Sequence, residues 1–238
     1  MNIVNLRSLA AAPIAFFSLV LFSVGCNNST GPSNTSSSAT VRPKQGSTYT
    51  DSVCRKDTSL QNKPGHFVTF TLLDTNASIG GMTNVYMFVS SYDTSNQSSD
   101  TTYLHYENNG NVSMYVPFAA GQFSIGREWV TFSFATQDSS EIPPLHAFII
   151  VDSVTITGSV IGAGTATQTI NGNSLYLEKS TMNITASSKL GDISATLNLS
   201  YAPSIGFIVS DDLSEQGSAA GLNLSGGVAA FLRSYTLK

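Results

Sequence analysis

Apolar side chains recur at every second position through most of this chain, in runs separated by clusters of Gly, Asn, Asp and Ser. Alternation of period two, rich in β-branched and aromatic residues, predicts strands with one buried and one solvated face. VTFTLLD (68–74), VYMFVSSY (85–92), TTYLHYE (101–107), VSMYVPF (112–118) and WVTFSFAT (129–136) are strand-like. So are HAFIIVDSVTITGSVIG (146–162), LYLEKSTMNITAS (175–187), ISATLNLSY (193–201), IGFIVS (205–210) and VAAFLRSYTLK (228–238). Asn109-Gly110, Asn171-Gly172 and Leu190-Gly191-Asp192 supply the residue types that tight hairpin turns need. No segment carries an apolar stripe of helical period, and nothing divides the runs between two cores. About ten or more strands joined by short turns predict an all-β body: one curved antiparallel sheet, a half-barrel or open barrel, because broad sheets curl or close to hide their edges. The long runs 146–170 and 174–187 predict strongly bent strands, with Gly158, Gly162 and Gly164 at kinks or bulges.

One apolar segment does not alternate. It runs from Leu9 to Val24, follows the single charge of Arg7, contains Pro13, and stops at Cys26. A membrane-spanning helix needs about 20 apolar residues and usually a basic stop beyond them. Here Asn27, Asn28 and Ser29 follow, so residues 1–25 read as a secretory signal peptide. Ser23-Val24-Gly25-Cys26 resembles a relaxed bacterial lipobox, with Ser in place of the usual Leu. That resemblance implies a diacylated Cys26 as the mature N-terminus and a lipid anchor in the membrane, since two or more acyl chains hold a protein on a bilayer far better than one. Asn27 stands where Asp would imply retention at the inner membrane, so the resemblance implies the outer membrane, periplasmic or surface side left open. Residues 26–46, rich in Ser, Thr, Asn, Pro and Gly after Cys26, bury too little to order themselves and read as a flexible tether; 47–238 is the β-domain.

Only 11% of the residues are charged, and losing Arg7 with the leader moves the formal net charge from −4 to −5. A mildly acidic surface without Lys/Arg clusters argues against nucleic acid as a partner. There are 2 cysteines. With Cys26 acylated, Cys54 has no disulfide partner and reads as a structurally incidental thiol; Arg55 and Lys56 could lower its pKa, but no base accompanies it. A Cys26–Cys54 disulfide is the alternative if the leader is not a lipoprotein signal.

Three stretches carry a family resemblance: VPFAAGQFSIGREWVTF (116–132), VIGAGTATQTINGNSLYLEKSTMNI (160–184) and LNLSYAPSIGFIVSDDLSEQGSAAGLNLSGGVAAFLRSYTLK (197–238). Together they resemble the TapB-like and related periplasmic lipoproteins, which are related in fold to the LolA/LolB lipoprotein carriers. The resemblance implies an open, highly curved antiparallel sheet with an apolar concave face, and it supplies no catalytic residues. Ser204 and the turn Ile170-Asn171-Gly172-Asn173 depart from the family pattern, and no helical lid is visible.

Little in the chain announces chemistry. His66, His105 and His146 lack the spacing of a zinc site. The acidic run Ser210–Gly217 does not match an EF-hand loop and reads as a solvated turn. No G-x-S-x-G nucleophile elbow exists, and nothing selects a catalytic pair among Asp152, Glu178 and Asp192. Asn-x-Ser/Thr sequons such as Asn76, Asn183 and Asn198 follow from composition alone. In WVTFSFAT, Trp129 faces with Thr131, Ser133 and Ala135, while Val130, Phe132 and Phe134 face the other way; Trp129, Phe132 and Phe134 are the candidate ligand-lining residues. The expectation is a non-enzymatic, cofactor-free and metal-free envelope lipoprotein with a structural or interaction role toward an envelope protein. The alternative is a carrier of an apolar ligand, such as an acyl chain or lipid. A continuous apolar cavity of several hundred Å³ would separate the two.

Overall fold

The computed structural model describes residues 40–56, 62–63, 65–93, 99–120, 123–134, 139–149, 152–189, 191–219 and 222–238. The signal peptide, Cys26 and most of the tether lie outside them. The described residues form strands and turns throughout, as the alternation predicts: β1 (Thr48–Lys56), β2 (Asn62–Lys63), β3 (Phe67–Ile79), β4 (Met82–Tyr92), β5 (Thr101–Tyr106), β6 (Val112–Ala120), β7 (Phe123–Phe132), β8 (Ser139–Ile149), β9 (Asp152–Ile170), β10 (Asn173–Ser188), β11 (Gly191–Ala202), β12 (Phe207–Ala219) and β13 (Leu222–Thr236).

All pairings are antiparallel, and the sheet runs β7-β6-β5-β4-β3-β1-β13-β12-β11-β10-β9-β8, with β2 attached to β1. It is two meanders joined where the first and last strands pair, Tyr49 opposite Tyr235 and Val53 opposite Ala230. The two outer strands of this path, β7 and β8, come back together. No ladder joins them among the described residues, but Ser140 Oγ donates to the Thr131 carbonyl at 3.1 Å. The sheet is therefore a nearly closed barrel, and that curvature hides edges a flat sheet of this width would expose.

Strand direction defines two ends. The upper end carries residues 40–47, the turns 79–82, 107–111, 171–172 and 203–206, and Lys238; β3, β5, β7, β9, β11 and β13 begin at the lower end. Side chains filling the inside include Val68, Leu72, Phe88, Leu104, Val116, Ile156, Val160 and Met182, each 0% exposed. At that exposure they touch neither solvent nor an internal void wide enough for water. The bend in β9 is a bulge: Lys179 faces Gly164 and Ser180 faces Gly162, leaving Ala163 unpaired, with Gly164 at φ +87°. Asn171 and Gly172, at φ +51° and +76°, form the primed turn their sequence predicts.

The upper end is closed from within. Tyr49 Oη donates to the Ile205 carbonyl at 2.9 Å and Tyr106 Oη to the Gly206 carbonyl at 2.6 Å, so the β11–β12 turn is drawn into the barrel mouth. Behind the turn, Phe207 stacks on Tyr49 (centroids 3.9 Å) and meets Phe88 at 5.2 Å and Phe70 at 5.8 Å. Residues 41–46 lie over it: Val41 N–H donates to the Pro203 carbonyl at 2.7 Å, Gly46 N–H donates to the Leu72 carbonyl at 2.8 Å, and Pro43 is buried. The last residues of the 26–46 segment thus pack against the barrel. The β9–β10 hairpin also folds over this end. Asn173 Nδ2 donates to Tyr235 Oη on β13, two strands beyond β10's neighbour in the pairing order, and Ile170, Leu175 and Leu177 join the buried cluster.

The structure corrects several readings of the pattern. The run 146–162 is the end of β8 and the start of β9, and β8 begins back at Ser139. Pro143 and Pro144 hide that start, because their missing donors break the β8–β9 register between Ile142 and Leu145 and suit only an edge strand. The run Ser210–Gly217 is not a solvated loop but the middle of β12, paired on both sides. Its alternation is disguised because two of the inward positions, Asp211 and Glu215, are acids.

Candidate functional site

On β7, Val130 and Phe132 point inward and are buried, whereas Trp129 lies half-buried on the outer face. Phe134, just past β7, is buried and stacks on Tyr201 at 5.2 Å. The three candidate ligand-lining residues therefore do not share one face. Trp129 belongs instead to a row with Tyr115 on β6 and Tyr103 on β5, at centroid separations of 5.2 and 6.4 Å.

This row has a cover. β4 pairs with β5 only from Tyr86 to Val89, so the upper part of the β3–β4 hairpin leaves the sheet. Its tip lies across the outer face of β5–β7: Trp129 Nε1–H donates to the Ile79 carbonyl at 3.3 Å, and a Cβ on Gly80 would sit 2.8 Å from both Trp129 Nε1 and Tyr115 Cε2.

Beside the row lie polar groups whose types could do chemistry. Ser113 Oγ donates to Glu107 Oε1 at 2.7 Å and lies 2.8 Å from Thr131 Oγ1; Thr131 Oγ1 is 3.3 Å from the same carboxylate oxygen. His105 pairs across from Ser113, and its Nδ1 is buried without a hydrogen-bond partner. A Ser-His-acid relay needs the imidazole between hydroxyl and carboxylate. Here the carboxylate takes the hydroxyl directly, and Ser113 is 1% exposed. As wired, the group ties β5, β6 and β7 together.

The other candidates are dispersed. His66 packs near the Tyr92 ring at 5.5 Å, and His146 sits in β8 opposite Thr155. No group of three or more His, Cys, Asp or Glu able to hold a metal exists among the described residues. Glu178 lies toward the upper end, where burial raises its pKa, while Asp192 and Asp152 start strands at the lower end. Cys54 is buried on β1. Lys56 forms an ion pair with Asp212 and donates to Ser214 Oγ, reaching across Gly227, which offers no side chain in its way.

Sequence reasoning missed the acids inside the barrel. Asp51, Asp211 and Glu215 are buried on the inward positions of β1 and β12. Asp51 stands between Val68 on β3 and Leu232 on β13, beside a bulge after Thr50, and its Oδ1 has no hydrogen-bond partner. Burial pushes its carboxyl from 3.8 up to about 8. The signal was present in TYTDSV, where Tyr49, Asp51 and Val53 alternate.

No family model and no curated protein matches the chain. Among solved structures it is similar to a candidate exported protein with a YmcC-like fold from Bacteroides fragilis, at 12% identity over 83% of this chain and 99% of that one, with a TM-score of 0.42. A likeness that faint carries no argument about what this chain does.

Proposed function

We propose that the chain is an exported bacterial lipoprotein, held at the outer membrane by acyl groups on Cys26, whose barrel has a structural or interaction role rather than an enzymatic or carrier one. The observation that supports this best is the packed interior among the described residues. Phe207 and the rings around it occupy the upper half, and core side chains from β3, β4, β6, β9 and β10 are 0% exposed. A carrier of acyl chains would need an apolar cavity of roughly 300 Å³ or more. The anchor itself rests on Ser23-Val24-Gly25-Cys26.

Cys26→Ser tests the anchor. The variant is expected to lose acyl labelling and leave the membrane fraction; a variant that stays with membranes after a high-salt wash, with a cleaved N-terminus, overturns the lipoprotein reading. Native mass spectrometry of the wild-type protein from its own membrane tests the rest. The acylated chain at its bare mass is expected, and a stoichiometric co-purified lipid would restore the carrier.

A further inference from the structure

We propose that residues 76–84, the upper part of the β3–β4 hairpin, form a strap that opens and closes as a unit over the outer face of β5–β7, with Trp129 as its latch. The hairpin is weakly tied to itself and to the sheet. Its ladder breaks register three times, between Leu72 and Asp74, Asp74 and Ala77, and Ala77 and Ile79. Beyond Tyr86 it has no pairing to β5. Val85 is 0% exposed, but above it no side chain is fully buried: Ala77, Ile79 and Met82 are half-buried, and Asn76, Ser78, Thr83 and Asn84 are exposed. Segments with few buried apolar contacts and solvent-exposed backbone open at far lower cost than the global unfolding of their domain.

What holds the tip down is specific. The Ile79 carbonyl accepts the indole N–H of Trp129, and Gly80, at φ +57°, lets the backbone lie against the Trp129 and Tyr115 rings where any side chain would collide. When closed, the strap lies on the Trp129 and Tyr115 rings of the row that Tyr103 continues. When open, it uncovers the Trp129 and Tyr115 rings beside Tyr103. The fold thus carries its own cover for an aromatic row on its outer wall, independently of how the chain is anchored.

Hydrogen exchange on the full mature chain, with Trp129 fluorescence alongside, tests this. Amides of 76–84 are expected to exchange about 100-fold or more faster than those of β10–β12, as local opening requires. Trp129→Phe keeps a ring but removes the donor, and Gly80→Ala displaces the tip while leaving the latch residue in place. Each should speed strap exchange by about fivefold, the worth of one hydrogen bond, and leave β10–β12 unchanged. Gly80→Ala should also red-shift Trp129 emission and increase its quenching by acrylamide. Equal protection of strap and barrel, no change in either variant, or acceleration of all strands alike would each overturn the strap.

Discussion

Replacing Asp51 by Asn should stabilise the barrel at pH 7 and flatten its stability between pH 4 and 8. A carboxyl wedged between Val68 and Leu232, with Oδ1 unsatisfied, has lost its water without gaining a partner. Its pKa of about 8, against 3.8 when exposed, means that the folded chain holds a proton the unfolded chain releases. Below pH 4 both states are protonated and the group is neutral to folding. As pH rises from about 4 to 8 the unfolded state gains by ionising, so stability falls; above about 8 both ionise and the loss levels off. At about 1.4 kcal/mol per pH unit, the cost reaches about 4 kcal/mol by pH 7. Urea unfolding of both proteins at pH 4.5 and 7.5 measures it: the curves should nearly coincide at the lower pH and separate at the higher. An Asn variant weaker than wild type at pH 7.5 would mean that the carboxylate is charged and paired.

Phe207→Ala should cost about 3–5 kcal/mol, the usual range for a buried phenyl whose cavity cannot collapse. Phe207 is on β12, yet its ring meets Tyr49 on β1, Phe70 on β3 and Phe88 on β4, so the contacts run through the interior. The void would lie beneath the 203–206 turn, whose position depends on the hydroxyls of Tyr49 and Tyr106. Loss of stability should therefore come with loss of protection in residues 41–46, which rest on that turn. Chemical denaturation gives the first quantity and hydrogen exchange the second. A cost below about 1 kcal/mol would place the ring at a surface rather than a core.

The strands whose inward positions are apolar were legible in the sequence, and so were their turns, because Asn-Gly chemistry and period-two patterning act locally. β12 was legible only at its start, in IGFIVS, since two of its later inward side chains are Asp211 and Glu215, and an alternation of acids looks like a solvated loop. The start of β8 was hidden by Pro143-Pro144, and β1 by the polar Thr48, Asp51 and Ser52 around Tyr49 and Val53. The faces of β7 followed from alternation alone. What covers Trp129 did not, because the strap arrives from a hairpin far away in sequence, and no local pattern records a long-range contact. Closure of the barrel was open for the same reason: it depends on β1 meeting β13 and on β7 approaching β8, which side-chain periodicity does not specify.

The pairing of β1 with β13 has a consequence for how the molecule comes together. Every other full-length neighbour in the sheet follows closely along the chain, but this junction joins β1 to the distant β13, and closing so long a loop is entropically costly. The two ends it joins are already touching, since the Lys238 amide donates to Ser47 Oγ at 3.2 Å. A circular permutant that links them and opens between β7 and β8 would read the sheet from one edge to the other as a single uninterrupted meander. Its contacts would be almost wholly local, and its slowest step would move from the middle of the wall to the seam.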